Sequence, residues 1–388
     1  MAESISCDVA IVGGGLAGGL IARALGERRG DVDVRLIESA PRLGGNHVWS
    51  FFGGDIAPGD KWLVAPLVSH AWRRYSVCFP DLERTLDAPY YSIESEHFHR
   101  VIRGALPRGR VMTRKRVLGL SPRAVMLADG TRIEAKGVID ARGPGDLGLL
   151  DLGWQKFMGR ELALAEPHEA PDPRVMDACV DQVDGYRFVY ALPFTATRMF
   201  VEDTYFSDSP KLDKKALAQR IDDYAHRRGW SIEGVHREET GVLPIALGGD
   251  FESYWRSTGT DVAKAGMRAG LFQPATGYSL PDAVRLAVKI AAERDLSGPA
   301  LARLTHGHAR AAWESRGFYR LLNAMLFRAA EPAERWRVIQ RFYRLNPALI
   351  RRFYAGQSTW LDKARILAGK PPVPIGRALQ AVRETTWR

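Results

Sequence analysis

The first forty residues combine apolar strand patterns with a glycine-rich turn. Residues 8–12, Asp-Val-Ala-Ile-Val, are apolar and mostly β-branched after the initial Asp, and the Gly-Gly-Gly-Leu-Ala-Gly run at 13–18 leads into an apolar stretch with helical spacing. Residues 32–37 form a second strand pattern that ends at Glu38, twenty residues after Gly18. The order of strand, glycine turn, helix and strand predicts one βαβ unit with parallel strands.

Farther along, alternating apolar and polar residues predict more strands. Residues 123–140 indicate a hairpin followed by a buried strand that ends at Asp140 and rejoins the first sheet. Residues 185–206 alternate aromatic with other side chains, with a break at 193–197, which predicts an antiparallel hairpin with an aromatic face. Residues 240–249 indicate one further short strand.

Helical patterns separate and follow these strands. Residues 211–228 indicate a charged surface helix, and residues 283–292 indicate an apolar helix that follows a glycine-rich loop. From about residue 298 the chain is helical in composition, with breaks at Pro347 and at 371–372. The C-terminal quarter is therefore predicted to be a group of short helices.

The glycine turn near the start of the chain has the spacing of a dinucleotide-binding loop. Gly13, Gly15 and Gly18 let the chain turn tightly, bring backbone amides close to a pyrophosphate and let the helix pack on the strand. The N-terminus of that helix favours negative charge. Glu38 is positioned to accept the ribose hydroxyls. Because strand, turn, helix and acid occur together, dinucleotide binding is favoured over a purely structural turn.

The residues after the ribose acid favour FAD over NAD. The segment Pro-Arg-Leu-Gly-Gly, which ends at Gly44 and Gly45, resembles the one found at this place in flavoprotein oxidases and hydroxylases. Such folds also use a later glycine turn near the ribityl chain, and the stretch from Gly266 to Gly277 supplies one. Together with Asp140, these glycines are the expected contacts of the flavin.

These patterns predict an α/β fold, in which a Rossmann-like FAD-binding domain of the flavoprotein hydroxylase type carries an inserted β-rich substrate domain and a helical C-terminal part. A chain of 388 residues is long enough for two or three such units. The expected boundaries place residues 1–75, 100–160 and 258–300 in the FAD-binding domain, residues 76–99 and 161–257 in the substrate domain, and residues 301–388 in a basic, aromatic helical segment that faces a membrane or covers a substrate tunnel.

Composition excludes several classes of protein. The chain is 46% hydrophobic, 26% charged and 10% aromatic, which is ordinary for a globular protein and not for a fibrous or disordered one. Cys7, Cys78 and Cys179 are far apart in the sequence, so neither a disulfide framework nor a metal site is expected. Their small number favours a reducing, cytoplasmic compartment. Export signals, membrane-spanning windows and the motifs of zinc, serine or P-loop enzymes do not occur.

The net charge of +10 is concentrated at the C-terminal end. Residues 301–388 contain 17 Lys and Arg against 5 Asp and Glu, and apolar residues recur there at helical spacing between the arginines. Such amphipathic basic helices are expected to lie on anionic lipid, attaching the protein peripherally to the inner face of the cell membrane. Packing of the apolar faces on the flavin domain is the alternative, and nucleic acid is not an expected partner.

Five segments, taken together, carry the pattern of one known family. They are the glycine turn at 13–18, Gly-Asn-His-Val-Trp-Ser-Phe at 45–51, Phe-Val-Glu-Asp-Thr at 200–204, Gly-Val-Leu-Pro-Ile-Ala-Leu at 241–247 and the glycine-rich stretch at 269–279. In combination they resemble the bacterial lycopene β-cyclases, a family of FAD-dependent carotenoid cyclases. Phe52 and Gln273 depart from the pattern, since many members have His there, and Asp203 stands where plant relatives have a second Glu.

The resemblance implies an activity and its cofactors. The enzyme would convert the acyclic ends of lycopene and related carotenoids into β-rings, by way of γ-carotene to β-carotene, without net redox change. FAD would act in its reduced form, and NAD(P)H would supply the electrons. An FAD-dependent hydroxylase or dehydrogenase of a lipophilic substrate and a non-catalytic flavin-binding protein are the alternatives.

Cyclisation needs an acid that can protonate a carbon–carbon double bond. A carboxyl group can do so only if it stays protonated near neutral pH, which burial in an apolar pocket favours. The resemblance implies that the essential acid lies in the Phe-Val-Glu-Asp-Thr segment, which contains Glu202 and Asp203. On a strand, Glu202 shares a face with Phe200 and Thr204, whereas Asp203 points to the other face. Glu202 is therefore the expected proton donor, with aromatic rings of the 185–206 hairpin and reduced flavin stabilising the cation.

Overall fold

The computed structural model describes residues 4–369, 376–377 and 380–381, so the break predicted at 371–372 lies outside the described residues. The strands in chain order are β1 Ser4–Val12, β2 Val34–Ile37, β3 Val48–Phe52, β4 His70–Trp72, β5 Tyr75–Phe79, β6 Leu82–Leu86, β7 Tyr90–Glu94, β8 Val111–Met112, β9 Val117–Ser121, β10 Ala124–Leu127, β11 Arg132–Asp140, β12 Leu150–Leu164, β13 Arg174–Asp177, β14 Tyr186–Thr195, β15 Arg198–Ser207, β16 Ile232–Gly249 and β17 Ala263–Lys264.

Helices follow or connect these strands and dominate the C-terminal part. They are α1 Leu16–Arg28, α2 Lys61–Val64, α3 Ser95–Gly104, α4 Lys214–Arg227, α5 Phe251–Arg256, α6 Leu280–Ala291, α7 Gly298–Ser315, α8 Gly317–Arg328, α9 Arg335–Tyr343, α10 Pro347–Tyr354 and α11 Trp360–Leu367. The mixture of parallel strands, a large antiparallel sheet and C-terminal helices confirms the predicted α/β class.

The first sheet carries the predicted βαβ unit. β1 lies between β2 and β11 with all three strands parallel, and β8 extends the sheet beyond β2. α1 connects β1 to β2, as predicted. The hairpin and strand expected at 123–140 are β10 and one continuous strand, β11, which rejoins β1. β9 and β17 complete this sheet.

Two apolar helices, α1 and α6, pack together on one face of the first sheet. Leu20, Ile21 and Ala24 of α1 belong to the same buried cluster as Ala287 and Ile290 of α6. Because α1 begins directly after the glycine turn, this packing holds the turn at the carboxyl edge of the parallel strands, where dinucleotides bind in such sheets.

The second sheet has the strand order β16-β12-β15-β14-β13-β5-β6 and is antiparallel except for the pair β13 and β5. β14 and β15 form the predicted aromatic hairpin. β16 is longer than the short strand expected at 240–249, because it pairs with β12 along its whole length. β12 also lies entirely in this sheet, whereas the expected boundary at residue 160 would divide it.

Helices cover both faces of the second sheet. On one face α4 packs against β12 and β15, with Leu162, Val201 and Ile221 in the buried cluster. On the other face the aromatic side chains of β14 and β15 belong to a cluster that includes Phe327 of α8 and Trp336 of α9. The C-terminal helices therefore cover the aromatic face, and the space between helices and sheet is the candidate substrate site.

Candidate functional site

The glycine turn between β1 and α1 forms an open cradle. A Cβ atom added to Gly18 would collide with the carbonyl oxygen of Gly13, so turn and helix are in close contact. A Cβ added to Gly15 would meet no atom within 4 Å, so this backbone faces open space. A cavity of about 380 Å³ lies beside it, with Lys115 and Arg142 in its wall. Open backbone at a helix N-terminus and a basic rim suit a pyrophosphate.

Two acidic residues border this cradle in different ways. Glu38 accepts hydrogen bonds from the N–H groups of Gly14 and Ala40, each at 2.7 Å, and lies in the cavity wall. Asp140, an expected contact of the flavin, is buried, and its two oxygens each accept a hydrogen bond of 2.8 Å from Arg142. Asp140 therefore holds Arg142 at the rim of the cradle.

A first loop links the cradle to the second sheet. The N–H of Gly44 donates to the carbonyl oxygen of Gly14 at 2.9 Å, and both Gly44 and Gly45 have positive φ angles. Shortly afterwards the N–H of Val48 donates to Glu239 Oε2 of β16 at 2.8 Å. The predicted Gly-Gly segment thus runs from the cofactor cradle to the strand beside the candidate acid.

A second loop makes the same connection from the other side. Gly266 lies against α1, and Gly277 packs on Leu243 of β16. The next residue, Tyr278, has its hydroxyl 2.8 Å from that of Tyr190 on β14. The two loops expected to contact the flavin therefore both extend from α1 or its glycine turn to the aromatic face of the second sheet.

Glu202 lies in β15, on the aromatic face. Its Oε1 accepts a hydrogen bond of 2.8 Å from Thr204, so the two side chains share a face as predicted. The side chain is enclosed by protein yet keeps accessible surface, as expected of a group that faces internal space. Burial, reinforced by the neighbouring Glu239, raises the pKa of Glu202 to about 8. Glu202 is therefore largely protonated at neutral pH.

An apolar cavity of about 360 Å³ lies over this face. Tyr90, Tyr190 and Tyr278 form the part of its wall nearest Glu202, and burial raises the pKa of each of these hydroxyls, so they stay neutral. Other parts of the wall come from the sheet and the C-terminal helices and include Tyr186, Phe188, Phe206, Leu326, Phe342 and Phe353. The cavity can hold the end of an apolar chain, and Glu202, which does not itself line the cavity, lies close enough to these three tyrosines to help raise their pKa values.

Asp203, the second candidate acid, lies on the opposite face of β15. It is fully buried, and it accepts hydrogen bonds from Arg187 at 2.8 Å and from the Tyr205 hydroxyl. Arg220 of α4 donates to that same hydroxyl. The group joins α4 to the sheet on the face opposite the cavity, which favours Glu202 over Asp203 as the proton donor, and a catalytic role for Asp203 stays a prediction.

We expect Asp203→Ala to destabilise the fold by about 3–5 kcal/mol, because it leaves the buried Arg187 guanidinium without its carboxylate. Thermal unfolding checks this expectation. The double variant Arg187→Met with Asp203→Leu, which removes both charges, should recover much of the loss. A stable Asp203→Ala protein that has lost its activity would instead place Asp203 in the reaction.

Sequence reasoning missed two pairs of residues. Glu239 lies two strands away from Glu202 on the same face, across Gly159, and is 2% exposed. Cys78 and Cys179, expected to be apart, have their sulfur atoms 2.7 Å from each other. Both pairs depend on strand order, which no local sequence pattern encodes.

Exposed apolar side chains gather at the outer end of the cavity. Trp360, Leu361 and Leu367 of α11, here called the mouth surface, are 75%, 60% and 48% exposed, and Leu367 also lines the cavity. Lys363 and Arg365 lie on the same helix. Within the described part of the chain, none of the helices is both long and apolar enough to cross a bilayer.

Known proteins resemble this chain in sequence and in fold. The sequence profile described as lycopene cyclase protein matches residues 8–380. A lycopene beta-cyclase from Pseudescherichia vulneris is 47% identical over 374 residues, with 96% of each chain covered. A lycopene beta-cyclase from Pantoea ananas is 43% identical over 378 residues, covering 97% of this chain and 98% of its own.

Solved structures show the same fold at low sequence identity. A geranylgeranyl bacteriochlorophyll reductase-like protein from Thermoplasma acidophilum has a TM-score of 0.61 at 13% identity, over 99% of this chain and 97% of its own. The flavin-dependent brominase Bmp2 has a TM-score of 0.61 at 14% identity, over 93% of this chain and 97% of its own. These matches confirm the predicted flavoprotein-type fold.

Proposed function

The chain belongs to the lycopene cyclase family, and we propose that it catalyses the redox-neutral cyclisation of the acyclic ends of lycopene to β-rings, by way of γ-carotene to β-carotene. The observation that carries this proposal is Glu202, a carboxyl group that burial keeps protonated close to the tyrosines that line an apolar, aromatic cavity. The net change is an isomerisation, because one proton is added to the polyene and one is lost from the new ring.

In the proposed reaction Glu202 donates its proton to a double bond near the end of the polyene. The resulting tertiary cation is attacked by the neighbouring alkene, and the ring then loses a proton. The faces of Tyr90, Tyr190 and Tyr278 can stabilise the cation, since aromatic faces are negative. The apolar wall excludes water, which would otherwise trap the cation as an alcohol.

The cradle fits FAD because an open glycine backbone, a carboxylate for ribose and a basic rim occur together. The residues proposed to hold it are Gly13, Gly15, Gly18, Glu38, Gly44, Gly45, Gly266 and Gly277, with Asp140 acting through Arg142. In its reduced form FAD would supply negative charge that stabilises the cation. NAD(P)H is the proposed electron donor.

We propose that the polyene enters from a membrane through the mouth surface. Lycopene is apolar, and a cavity that opens beside exposed apolar side chains lets it pass from a bilayer without crossing water. The excess of Lys and Arg in residues 301–388 suits anionic lipid. The protein would thus be attached peripherally to the inner face of the cell membrane.

Replacing Trp360 and Leu361 together with Glu should reduce binding to phosphatidylglycerol vesicles at least about tenfold, because apolar burial and charge attraction are both lost. Flotation measures the bound fraction, and activity on detergent-dispersed lycopene should not change. Leu118→Glu is the control, since Leu118 on β9 is 61% exposed but does not line the cavity. Equal loss in the control, or retention on DNA without vesicle binding, would contradict the membrane proposal.

The proposed activity is tested with purified protein, reduced FAD and lycopene in the absence of oxygen. Conversion to β-carotene without incorporation of oxygen supports the cyclase. A requirement for oxygen and a hydroxylated product would favour the alternative, an FAD-dependent hydroxylase, because that reaction consumes oxygen and a proton-catalysed cyclisation does not.

A further inference from the structure

Two carboxyl groups occupy one row of the second sheet. The register pairs Tyr190 with Glu202, Glu202 with Gly159, and Gly159 with Glu239, across β14, β15, β12 and β16. Residues directly paired on neighbouring strands point to the same face. Gly159 has no side chain, and the Phe200 ring covers it, since an added Cβ there would collide with that ring. The two acids therefore lie on the same face of the sheet, with the apolar Phe200 ring over the glycine between them.

Glu239 is held in place as an acceptor. It is 2% exposed, and its Oε2 accepts the N–H of Val48 at 2.8 Å. His47 Nδ1 lies 3.7 Å from the same oxygen. The Val48 amide thus holds the Glu239 carboxyl group in place on the sheet face that carries Glu202, and Glu202 accepts its own hydrogen bond from the neutral Thr204 hydroxyl.

We propose that Glu239 is a positioning residue whose negative charge keeps the carboxyl group of Glu202 protonated and ready to donate. The inference rests on the proposed role of Glu202 as proton donor. After Glu202 has donated its proton, a negative charge held nearby would make its carboxylate form less favourable and so favour its return to the protonated form. Glu239 would supply that charge from the protein itself.

The other groups around Glu202 are neutral or are paired with an opposite charge, so Glu239 is the group proposed to act on the protonation of Glu202. The neighbours are Thr204 on β15, Tyr190 on β14, Tyr90 on β7, Tyr278 on the loop before α6, and His47 beside Glu239. One row along the sheet, Glu161 pairs with Arg198, and Arg237 pairs with Glu94 and Glu96. On the opposite face of the sheet, Asp203 forms an ion pair with Arg187. Burial is the larger cause of the raised pKa of Glu202, and Glu239 is the next.

The test is Glu239→Gln, which removes the charge but keeps the side-chain volume and an acceptor for Val48. Anaerobic activity is measured with the flavin-loaded protein, reduced FAD and lycopene. We expect the midpoint of the alkaline limb of the pH–rate profile to shift to lower pH by about one pH unit. Such a shift lowers activity about tenfold at pH 9 and leaves it almost unchanged at pH 6. The infrared carbonyl band of protonated Glu202, identified by its loss in Glu202→Gln, should titrate with the same shift.

Matched variants separate the shift of the pH–rate profile from damage to the loop that Glu239 holds through Val48. Glu238→Gln changes the adjacent residue, which is bonded to Arg160 on the other face, and should leave the profile in place. Glu239→Asp keeps the charge and should retain the parental limb. His47→Lys places a cation beside Glu239 and should move the limb in the same direction as Glu239→Gln, which keeps the inference testable if the Gln variant does not fold.

A uniform loss of rate at every pH in Glu239→Gln, with no shift in the profile or the infrared titration, would overturn the inference. Such a result, together with an inactive Glu202→Gln, leaves the proposed function intact. An active Glu202→Gln would instead overturn the proposed role of Glu202 as the proton donor, on which this inference rests, and protein that forms no cyclised product at all would overturn the proposed function.

Discussion

Glu202→Gln should lower the rate of cyclisation roughly a thousandfold, with neither γ-carotene nor β-carotene formed above background. An amide of the same volume can still accept the hydrogen bond from Thr204, but it has no acidic proton to give to an alkene. Pigment chromatography after anaerobic incubation with reduced FAD measures the loss.

The stability of the same variant serves as its control. In the folded protein the pKa of Glu202 is raised from 4.5 to about 8, so the folded state binds a proton more tightly than the unfolded state between these values. Parental stability therefore falls as pH rises through that window. Glutamine does not titrate, so the variant should be at least as stable as the parent at pH 8 and should keep its flavin. Full activity would show that another group donates the proton.

The proposed role of this acid depends on how the fold brings distant segments together. The glycine turn of the first sheet and the candidate acid of the second sheet belong to different layers. The loops that start near Gly44 and Gly266 connect them, one reaching Glu239 and the other Tyr278. α8 and α9 close the cavity from the remaining side. The glycine cradle, the candidate acid and the apolar cavity are thus linked only in the folded chain.

Local periodicity is enough to predict some of this site. The order of β1, α1 and β2 follows from a strand pattern, glycine spacing and a terminal Glu38 within a single stretch of sequence. The opposite directions of Glu202 and Asp203 follow from the two-residue repeat of a strand, and the hydrogen bonds of both residues agree with it. Each of these predictions needs only neighbouring residues.

Predictions that depend on pairing between distant strands fail without the structure. The first half of β16 is rich in charged residues and shows no strand pattern, yet it pairs with β12 throughout. Glu239 is in that half, so its position beside Glu202 depends on the order β15-β12-β16. Cys78 and Cys179 meet because β5 pairs with β13. Strand order is a property of the whole chain, and single-residue patterns do not contain it.

Two alanine substitutions in the glycine turn should separate flavin binding from folding. Gly15 has φ −73° and ψ −170°, which alanine adopts without strain, and its added Cβ meets no protein atom. Gly15→Ala should therefore fold normally. Its methyl group would project into the open cradle, where the backbone must approach a pyrophosphate closely, and we expect FAD affinity to fall at least about tenfold.

Gly18→Ala should behave in the opposite way, because its Cβ would collide with the carbonyl oxygen of Gly13 and force α1 away from the turn. We expect a loss of about 3 kcal/mol in the free energy of unfolding of the flavin-free protein. Thermal unfolding of the flavin-free variants and titration with FAD distinguish the two results. Undiminished FAD binding by Gly15→Ala would mean that the pyrophosphate does not lie against this turn. The assignment of the cradle to the pyrophosphate of FAD would then be wrong.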